Sequence, residues 1–265
     1  MVITVFSACF VPFTAKTQIL NIERFRMDKD TAGIWMGNIS FGFSGKKQLN
    51  YVSEYTTNLN LAYLTRKHSY MTINHLNIQK ADNQNIISEG YSHWRVNFMR
   101  RKHFSYEPFI QVQYDLGRGL LFRNLYGFSL RLNIIKLNKE KHNKVEMAVN
   151  EGIMYEYEKW QGVILRYNIP GDSTQAETTF IKSTTSFFTR LALHEKATFF
   201  GVVYYQARYD LFLRPRIISD LQLVFNLSKH FSFSNQLVSI IDTYPIVENN
   251  RFTYTLTGNL IVKIN

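Results

Sequence analysis

Polar and apolar residues alternate along two neighbouring stretches of the chain, which meet at Gly117-Arg118-Gly119. Successive side chains of a β-strand point to opposite faces, so each stretch predicts a strand with one polar and one apolar face. Before the turn, the polar face carries Glu107, Gln111, Gln113 and Asp115, and the apolar face carries Pro108, Ile110, Val112 and Tyr114. After it, Arg123, Ser129, Arg131 and Asn133 oppose Asn124, Tyr126, Phe128, Leu130, Leu132 and Ile134. The glycine-rich turn between them predicts a β-hairpin.

The two strands of this hairpin are long. Each runs for about ten or more residues, whereas strands of soluble proteins are usually about five or six residues long. An apolar face of that length, rich in Tyr and Phe, is typical of the lipid side of a transmembrane strand, and the polar face then lines a barrel interior. The hairpin therefore predicts a membrane β-barrel.

The same alternation recurs along the rest of the chain. Twelve strands are expected at 33–44, 51–64, 69–79, 89–99, 106–115, 120–133, 145–158, 178–191, 198–206, 217–226, 231–241 and 252–264. An even number returns the chain to its starting side, as in bacterial outer-membrane barrels. The prediction is an all-β protein, an antiparallel up-and-down transmembrane β-barrel of about twelve strands.

The lengths of the connections are consistent with this count. Long connections are expected at 79–88, 159–177, 207–216 and 242–251, and they alternate with short turns at 65–68, 100–103, 192–197 and 227–231. Long outer loops and short periplasmic turns are usual in such barrels. The exception is 136–144, which is long although it falls among the connections expected to be short turns. The strand at 69–79 is the weakest, because its parity is mixed.

One residue does not fit the pattern. Glu151 falls on the outward parity of its strand, beside Ile153 and Tyr155. A charge facing mid-bilayer lipid would cost about 2–4 kcal/mol. We therefore expect a β-bulge at Glu151 or a position near the membrane interface.

The first residues predict export of the chain. Residues 1–16 form a short apolar run followed by small and polar residues, although no Lys or Arg precedes the apolar part. This pattern predicts a signal peptide over 1–18 and a barrel domain over 19–265. Polar and apolar residues alternate over the short segment 19–27, which fits either a partial first strand or a segment at the barrel mouth.

Composition narrows the protein class. Past the N-terminus, no run of about twenty apolar residues exists, which excludes a helical membrane protein, and the 15% aromatic content argues against disorder. The single cysteine, Cys9, permits no intrachain disulfide. The net charge of +11 raises the question of nucleic acid, but the basic residues are dispersed among short connections without a recognition motif. The expected partners are outer-membrane lipid and the barrel assembly machinery, with no nucleic acid.

The charged residues that face inward form the candidate site, a lumen charge network. Its members are His93, Arg95, Glu107, Asp115, Arg123, Arg131, Glu156 and Glu158. Two interpretations are compatible: a charged constriction in a narrow channel, or ion pairs that plug a small barrel. Glu107 and Asp115 lie on the middle one of three strands that should be neighbours, and Arg95, Arg123 and Arg131 lie on the two strands that flank it. We therefore expect these carboxylates to pair with these arginines.

No catalytic, cofactor-binding or metal-binding residues are expected. Glu107 and Asp115 lie about 26 Å apart along one strand, too far for a carboxylate pair. His75 has Ser69 and Thr72 nearby in sequence, which is too little to assign a triad. The turn at Gly117 is not a phosphate loop, because no helix follows it. We therefore expect a non-enzymatic protein without a cofactor.

Several motifs resemble a known family. They are Ile22-Glu23-Arg24-Phe25-Arg26, Glu89-Gly90-Tyr91-Ser92-His93-Trp94-Arg95, Glu107-Pro108-Phe109-Ile110-Gln111-Val112-Gln113-Tyr114, Leu121-Phe122-Arg123-Asn124-Leu125-Tyr126-Gly127 and Gly152-Ile153-Met154-Tyr155-Glu156-Tyr157-Glu158. Over about residues 19 to 264, the chain resembles the Gram-negative outer-membrane barrels of domain of unknown function 481. The resemblance implies an outer-membrane β-barrel and no agreed activity. The chain departs from the usual barrel ending, because Val262-Lys263-Ile264-Asn265 replaces a terminal aromatic residue.

The expected function is that of an integral protein of the cell outer membrane. A porin-like narrow passive channel and a structural barrel with a charged lumen both fit. Two alternatives stay open: an outer-membrane lipid-modifying enzyme, and a soluble lipid-binding barrel, which would have an apolar interior and about eight strands.

Overall fold

The computed structural model describes residues 32–47, 51–82, 84–135, 145–161, 175–228, 231–246 and 251–262. The expected signal peptide, the segment 19–27 and the unusual last three residues lie outside this part of the chain. The described strands are β1 (Ile34–Lys47), β2 (Tyr51–Leu64), β3 (Ser69–Ala81), β4 (Gln84–Asn97), β5 (Phe104–Asp115), β6 (Leu120–Ile135), β7 (Val145–Gln161), β8 (Gln175–His194), β9 (Ala197–Arg208), β10 (Arg216–Asn226), β11 (Phe231–Asp242) and β12 (Phe252–Val262).

Every strand pairs with its neighbours in sequence. The twelve strands form one antiparallel sheet in the order β1 to β12, and β1 and β12 are the ends of this order in the described residues. The sheet curls strongly, because Arg216 on β10 lies 3.8 Å from Glu156 on β7, two strands beyond the nearest neighbour. Gln113 of β5 and Ile240 of β11 even line one cavity. The fold-class prediction, an all-β antiparallel up-and-down barrel of twelve strands, is confirmed.

The two faces of the central hairpin have the predicted orientation. On β5, Glu107, Gln111 and Asp115 are buried, whereas Ile110 on the opposite face is 44% exposed. On β6, Arg123, Ser129 and Arg131 are buried inside, whereas Tyr126, Phe128 and Leu130 are exposed outside. The alternation of side chains across each strand produces both faces at once.

The mixed parity of β3 has a packing cause. Met71 and Ile73 point inward and pack with Ala62 of β2 and the half-buried Tyr91 of β4. Apolar residues therefore occur on both faces of β3, and the simple polar-in pattern is lost there.

The prediction of a long connection at 79–88 was wrong. β3 continues to Ala81 and β4 begins at Gln84, with a register shift between Gln79 and Lys80. Polar residues end the hydrophobic alternation without ending the strands, because the backbone ladder needs no apolar side chain. The connection expected at 159–177 is likewise shorter, since β7 ends at Gln161 and β8 begins at Gln175.

The bulge expected at Glu151 was also wrong. Glu151 pairs regularly with Leu130 on one side and Thr185 on the other. Its carboxylate is on the outer face and accepts hydrogen bonds from the hydroxyls of Ser183, at 3.0 Å, and Thr185 on β8. The neighbouring strand thus satisfies the charge in part without any distortion of the ladder.

The turn of the central hairpin depends on one glycine. A short 3-10 helix, Leu116–Arg118, follows β5, and Asp115 accepts a hydrogen bond from the Arg118 backbone N–H at 3.1 Å. Gly119 then adopts the left-handed conformation with φ +79°, where a side chain is strained. A methyl group there would also lie 2.7 Å from the backbone oxygen of Gln161.

We expect Gly119→Ala to lower the free energy of unfolding by about 1–2 kcal/mol, because an L side chain is disfavoured in the left-handed region. Urea titration of the protein refolded in lipid vesicles measures this change. Gly117→Ala is the matched control, since the nearest atom to its new methyl group would be 3.5 Å away, and it should stay within about 0.5 kcal/mol of wild type. Equal losses for the two variants would contradict the assignment.

Candidate functional site

A buried carboxylate, Glu156 on β7, lies at the centre of the largest charge cluster inside the barrel. Its side chain is fully buried and contacts three cations: Arg123 on β6, Lys182 on β8 and, at 3.8 Å, Arg216 on β10. An isolated buried carboxylate would be strongly unfavourable, so several cations and short contacts are needed to compensate for lost hydration.

A second carboxylate extends this cluster toward the hairpin turn. Glu158 Oε1 lies 3.1 Å from Arg123 Nε and 3.8 Å from Arg216 Nη1. Its other oxygen accepts a hydrogen bond from Trp160 Nε1 at 3.0 Å. Arg216 also binds Asp242 of β11, with Nε 2.7 Å from Oδ2. We call Arg123, Glu156, Glu158, Lys182, Arg216 and Asp242 the interior ion cluster.

A separate ion pair joins β4 to β5. Arg95 Nη1 donates a hydrogen bond to Glu107 Oε2 at 2.9 Å, and Asn97 Nδ2 donates to the other oxygen at 2.7 Å. Glu107 has no exposed surface. Both oxygens of this buried carboxylate therefore have donors, which is the condition for tolerating it inside a barrel.

The position of Arg95 depends on an aromatic ring. Its guanidinium lies over the ring of Phe109, 4.7 Å from the centroid, and His93 stacks on the same ring at 5.6 Å. Phe109 is paired across the ladder with Gly127 of β6, and any side chain at Gly127 would overlap the ring. The absence of a side chain at Gly127 thus makes room for the ring that supports Arg95.

His93 belongs to a chain of amides on the same wall. Its Nδ1 is 3.0 Å from Gln111 Oε1, and Gln111 Nε2 donates to Gln113 Oε1 at 2.5 Å. Since the amide oxygen of Gln111 faces the ring, Nδ1 carries the proton and donates. The opposite nitrogen, Nε2, then has a free lone pair directed into the barrel.

Arg131 lies at the other end of the interior. It donates to Asn133 Oδ1 at 2.7 Å and to Asn150 Oδ1 at 3.5 Å, and its guanidinium is 5.8 Å from the Phe188 ring centroid. The expected pairing of Arg131 with Glu107 stays a prediction.

The carboxylate of Asp115 is held within its own turn. Arg118 Nε is 4.0 Å from Asp115 Oδ2, and Glu89 of β4 is the cross-strand neighbour. Burial lowers the pKa of the Arg118 guanidinium, while the charge of Asp115 acts in the opposite direction. The expected pairing of Asp115 with Arg95, Arg123 or Arg131 was therefore wrong, because the hairpin turn supplies a nearer cation.

Part of the interior is filled by these side chains. A cavity of about 60 Å³ remains between β4 and β9, bounded by His93, Phe109, Arg123, Met154 and Gln206 among others. Another of about 30 Å³ lies beside Lys182, Arg208 and Arg214. One water needs roughly 10–15 Å³ of such space, so these cavities accommodate only a few waters.

The structure brings together most of the residues expected in the lumen, in two groups. Arg95 and Glu107 form one ion pair, and Arg123, Glu156 and Glu158 form another cluster. His93, Arg131 and Asp115 are also buried inside, where each has hydrogen-bond partners of its own.

Sequence reasoning missed the charged residues that complete the cluster, Arg216, Asp242 and Lys182. Arg216 and Asp242 are the first and last residues of their strands, and the predicted boundaries placed them in connections. Lys182 lies in a strand that was expected, so its inward parity could have been found by counting from Thr178. Glu89 was likewise overlooked, although it shares the parity of His93 and Arg95.

Among the residues that the structure describes, no group of three or more His, Cys, Asp or Glu side chains could hold a metal ion. His75 points inward, where Nδ1 is 2.7 Å from Asn58 Oδ1 and Nε2 is 3.9 Å from Glu89. The same described residues contain no helix that is long and apolar enough to cross a membrane.

Comparison with known proteins finds a likeness among the solved structures. No family model matches the chain, and no curated protein is similar to it, so the resemblance to domain of unknown function 481 stays a prediction. The chain is similar in structure to the NanC porin in its rhombohedral crystal form, with a TM-score of 0.44 and 10% identity over 85% of this chain and 100% of that one. A likeness of this size leaves the function to be argued from the chain's own residues.

We expect Arg123→Ala to lower the free energy of unfolding by about 3–5 kcal/mol, because two buried carboxylates would lose a shared cation. Lys159→Ala is the control on β7, since Lys159 pairs with Glu177 of β8 at 3.0 Å on the outer, partly exposed face. That loss should stay below about 1 kcal/mol. Urea titrations in lipid vesicles compare the two, and a small loss for both would show that water reaches the interior ion cluster.

Proposed function

We propose that this protein is an integral outer-membrane β-barrel that acts as a narrow passive channel, without enzymatic activity. The observation that carries the proposal is the division of the long strands into an apolar outer face and a hydrophilic, charged inner face. Each part of this division has its own support.

The outer face is suited to lipid. Trp94, Ile110, Tyr126, Phe128 and Ile153 come from four consecutive strands and each is more than 40% exposed on the outside. Such a continuous apolar surface exceeds the patches usual on soluble monomers. A bilayer would bury these side chains, and closed strands satisfy their own backbone groups there.

The inner face is suited to water and polar solutes. Glutamates, arginines, glutamines and asparagines occupy inward positions on β4 to β7, and Lys182 lies on β8. The inward positions of β10 to β12 combine serines, threonines and glutamines with Arg216, Asp220 and Asp242. A soluble lipid-binding barrel needs the reverse arrangement, with apolar residues inside. The charged interior therefore favours the membrane channel over that alternative.

The interior ion cluster would make the passage narrow. Its side chains cross from β6 to β10, and the cavities beside them include two of about 60 and 30 Å³. Such a barrel would pass small solutes only, and a fully plugged structural barrel is the competing outcome.

Recording from planar bilayers tests the proposal directly. The purified full-length protein should give small, discrete conductance steps, and phospholipid vesicles containing it should become permeable to small solutes. Absence of both would favour the plugged structural barrel, and a detergent-free soluble monomer would contradict membrane residence. Hydrolysis of the vesicle phospholipid would contradict the non-enzymatic part.

We expect Phe128→Arg to destabilise the protein by about 2–4 kcal/mol in lipid vesicles, because it places a charge at mid-strand on the lipid face. Phe128→Leu keeps that position apolar and should cost less than about 1.5 kcal/mol. The free energy of unfolding in vesicles measures both, and Ser129→Arg tests the inward neighbour. We expect Ser129→Arg to cost less than Phe128→Arg, because Ser129 faces the polar lumen. Equal costs, or the reverse order, would contradict the assignment of the two faces.

A further inference from the structure

The inner wall of the barrel is divided into two unlike parts. The first part, on β4 to β8 with Arg216, carries the ion pairs, and its inward side chains are mostly buried. The second part has half-buried inward residues on β2, β10, β11 and β12. We call it the neutral wall and define it by Thr56, Asn58, Gln222, Gln236, Thr253 and Thr257.

The neutral wall is where the interior remains accessible. Its six residues are all half-buried, whereas Glu107, Glu156 and Glu158 on the ion-paired wall have at most 1% exposure. The strand register places Gln222, Gln236 and Thr257 side by side across β10, β11 and β12. These three side chains form a continuous row of amide and hydroxyl groups facing the interior.

The chemistry of this row is uncharged. The nearby carboxylate of Asp220 accepts hydrogen bonds from Gln236 Nε2 at 2.9 and 3.0 Å, and Lys46 and Glu54 lie near the turn between β1 and β2. Hydroxyl and amide groups donate and accept hydrogen bonds, so they can replace the water around a hydroxyl-bearing solute. The six residues of the neutral wall themselves carry no charge, and the fixed charges beside them are those of Asp220, Lys46 and Glu54.

The opposite wall adds little net field. Each carboxylate of the interior ion cluster contacts a cation at 3.8 Å or less, so its charges largely cancel. Selectivity for ions in channels comes from uncompensated rings of charge or from carbonyl dipoles. Among the described residues, the carboxylate of Asp220 lies beside the neutral wall as a single group that is hydrogen-bonded to Gln236, not as part of a ring of charges.

We infer that the passage is eccentric, follows the neutral wall, and serves small uncharged hydroxyl-bearing solutes, such as polyols or small sugars, with weak selectivity between ions. This inference rests on the proposed channel function. It adds the route through the barrel and the chemical class of the solute.

The test uses the full-length protein in phosphatidylcholine vesicles and planar bilayers. Vesicles should swell in isotonic glycerol and arabinose, and a potassium chloride gradient should produce only a small reversal potential. A large reversal potential of either sign in the wild-type protein would overturn the inference while leaving the channel proposal intact. If neither swelling nor conductance occurs, the channel proposal itself fails and the inference fails with it.

Two carboxylate substitutions test the route. Thr257→Asp adds a negative charge to the neutral wall, so the reversal potential should shift toward cation selectivity. Thr184→Asp adds the same charge beside the 60 Å³ cavity on β8, and it should leave the reversal potential unchanged. If Thr257→Asp does not fold, Gln222→Glu tests the same row with a nearly isosteric change. An equal shift for Thr184→Asp, or no shift for either neutral-wall variant, would overturn the proposed route.

Discussion

Burial of Glu156 without exposed surface is the constraint on which the arrangement of the interior depends. A carboxylate in that position must be surrounded by cations, and no single strand can supply them. Arg123, Lys182 and Arg216 come from three different strands and meet at the two oxygens. The contact from Arg216 exists only because the sheet curls, so the ion cluster and the curvature of the sheet support each other.

The same constraint explains why the barrel wall has two halves. Long charged side chains occupy the inward positions of β4 to β8 and compensate one another across the strands. The inward positions of β10 to β12 carry fewer charged groups and more hydroxyl and amide side chains, several of which are half-buried. A barrel of this size cannot hold bulky charged groups on every strand and retain a passage.

The number of strands and the side of the sheet to which each side chain points could be predicted from the sequence, because side-chain alternation is a local property of each strand. The buried positions of Glu107, Arg123 and Glu156 followed from parity alone. Pairing partners could not be predicted in this way, since they depend on register and curvature. The register of the β5–β6 pair shifts between Gln113 and Asp115, and the turn places Arg118 of the same hairpin beside Asp115. Arg216 was missed for a simpler reason: the predicted strand began at residue 217, one residue late, so Arg216 was assigned to a loop.

The contact between β7 and β10 has a consequence for assembly. The strands pair in sequence order, and the pairing of β7 with β8 brings Glu156 to Lys182. Glu158 already contacts Arg123 of β6, whereas Arg216 reaches Glu156 and Glu158 only from across the interior. A sheet that stops before β10, or that stays too flat, therefore keeps fewer cations beside these two buried carboxylates. Full compensation of the ion cluster thus requires both the tenth strand and the curvature of the sheet.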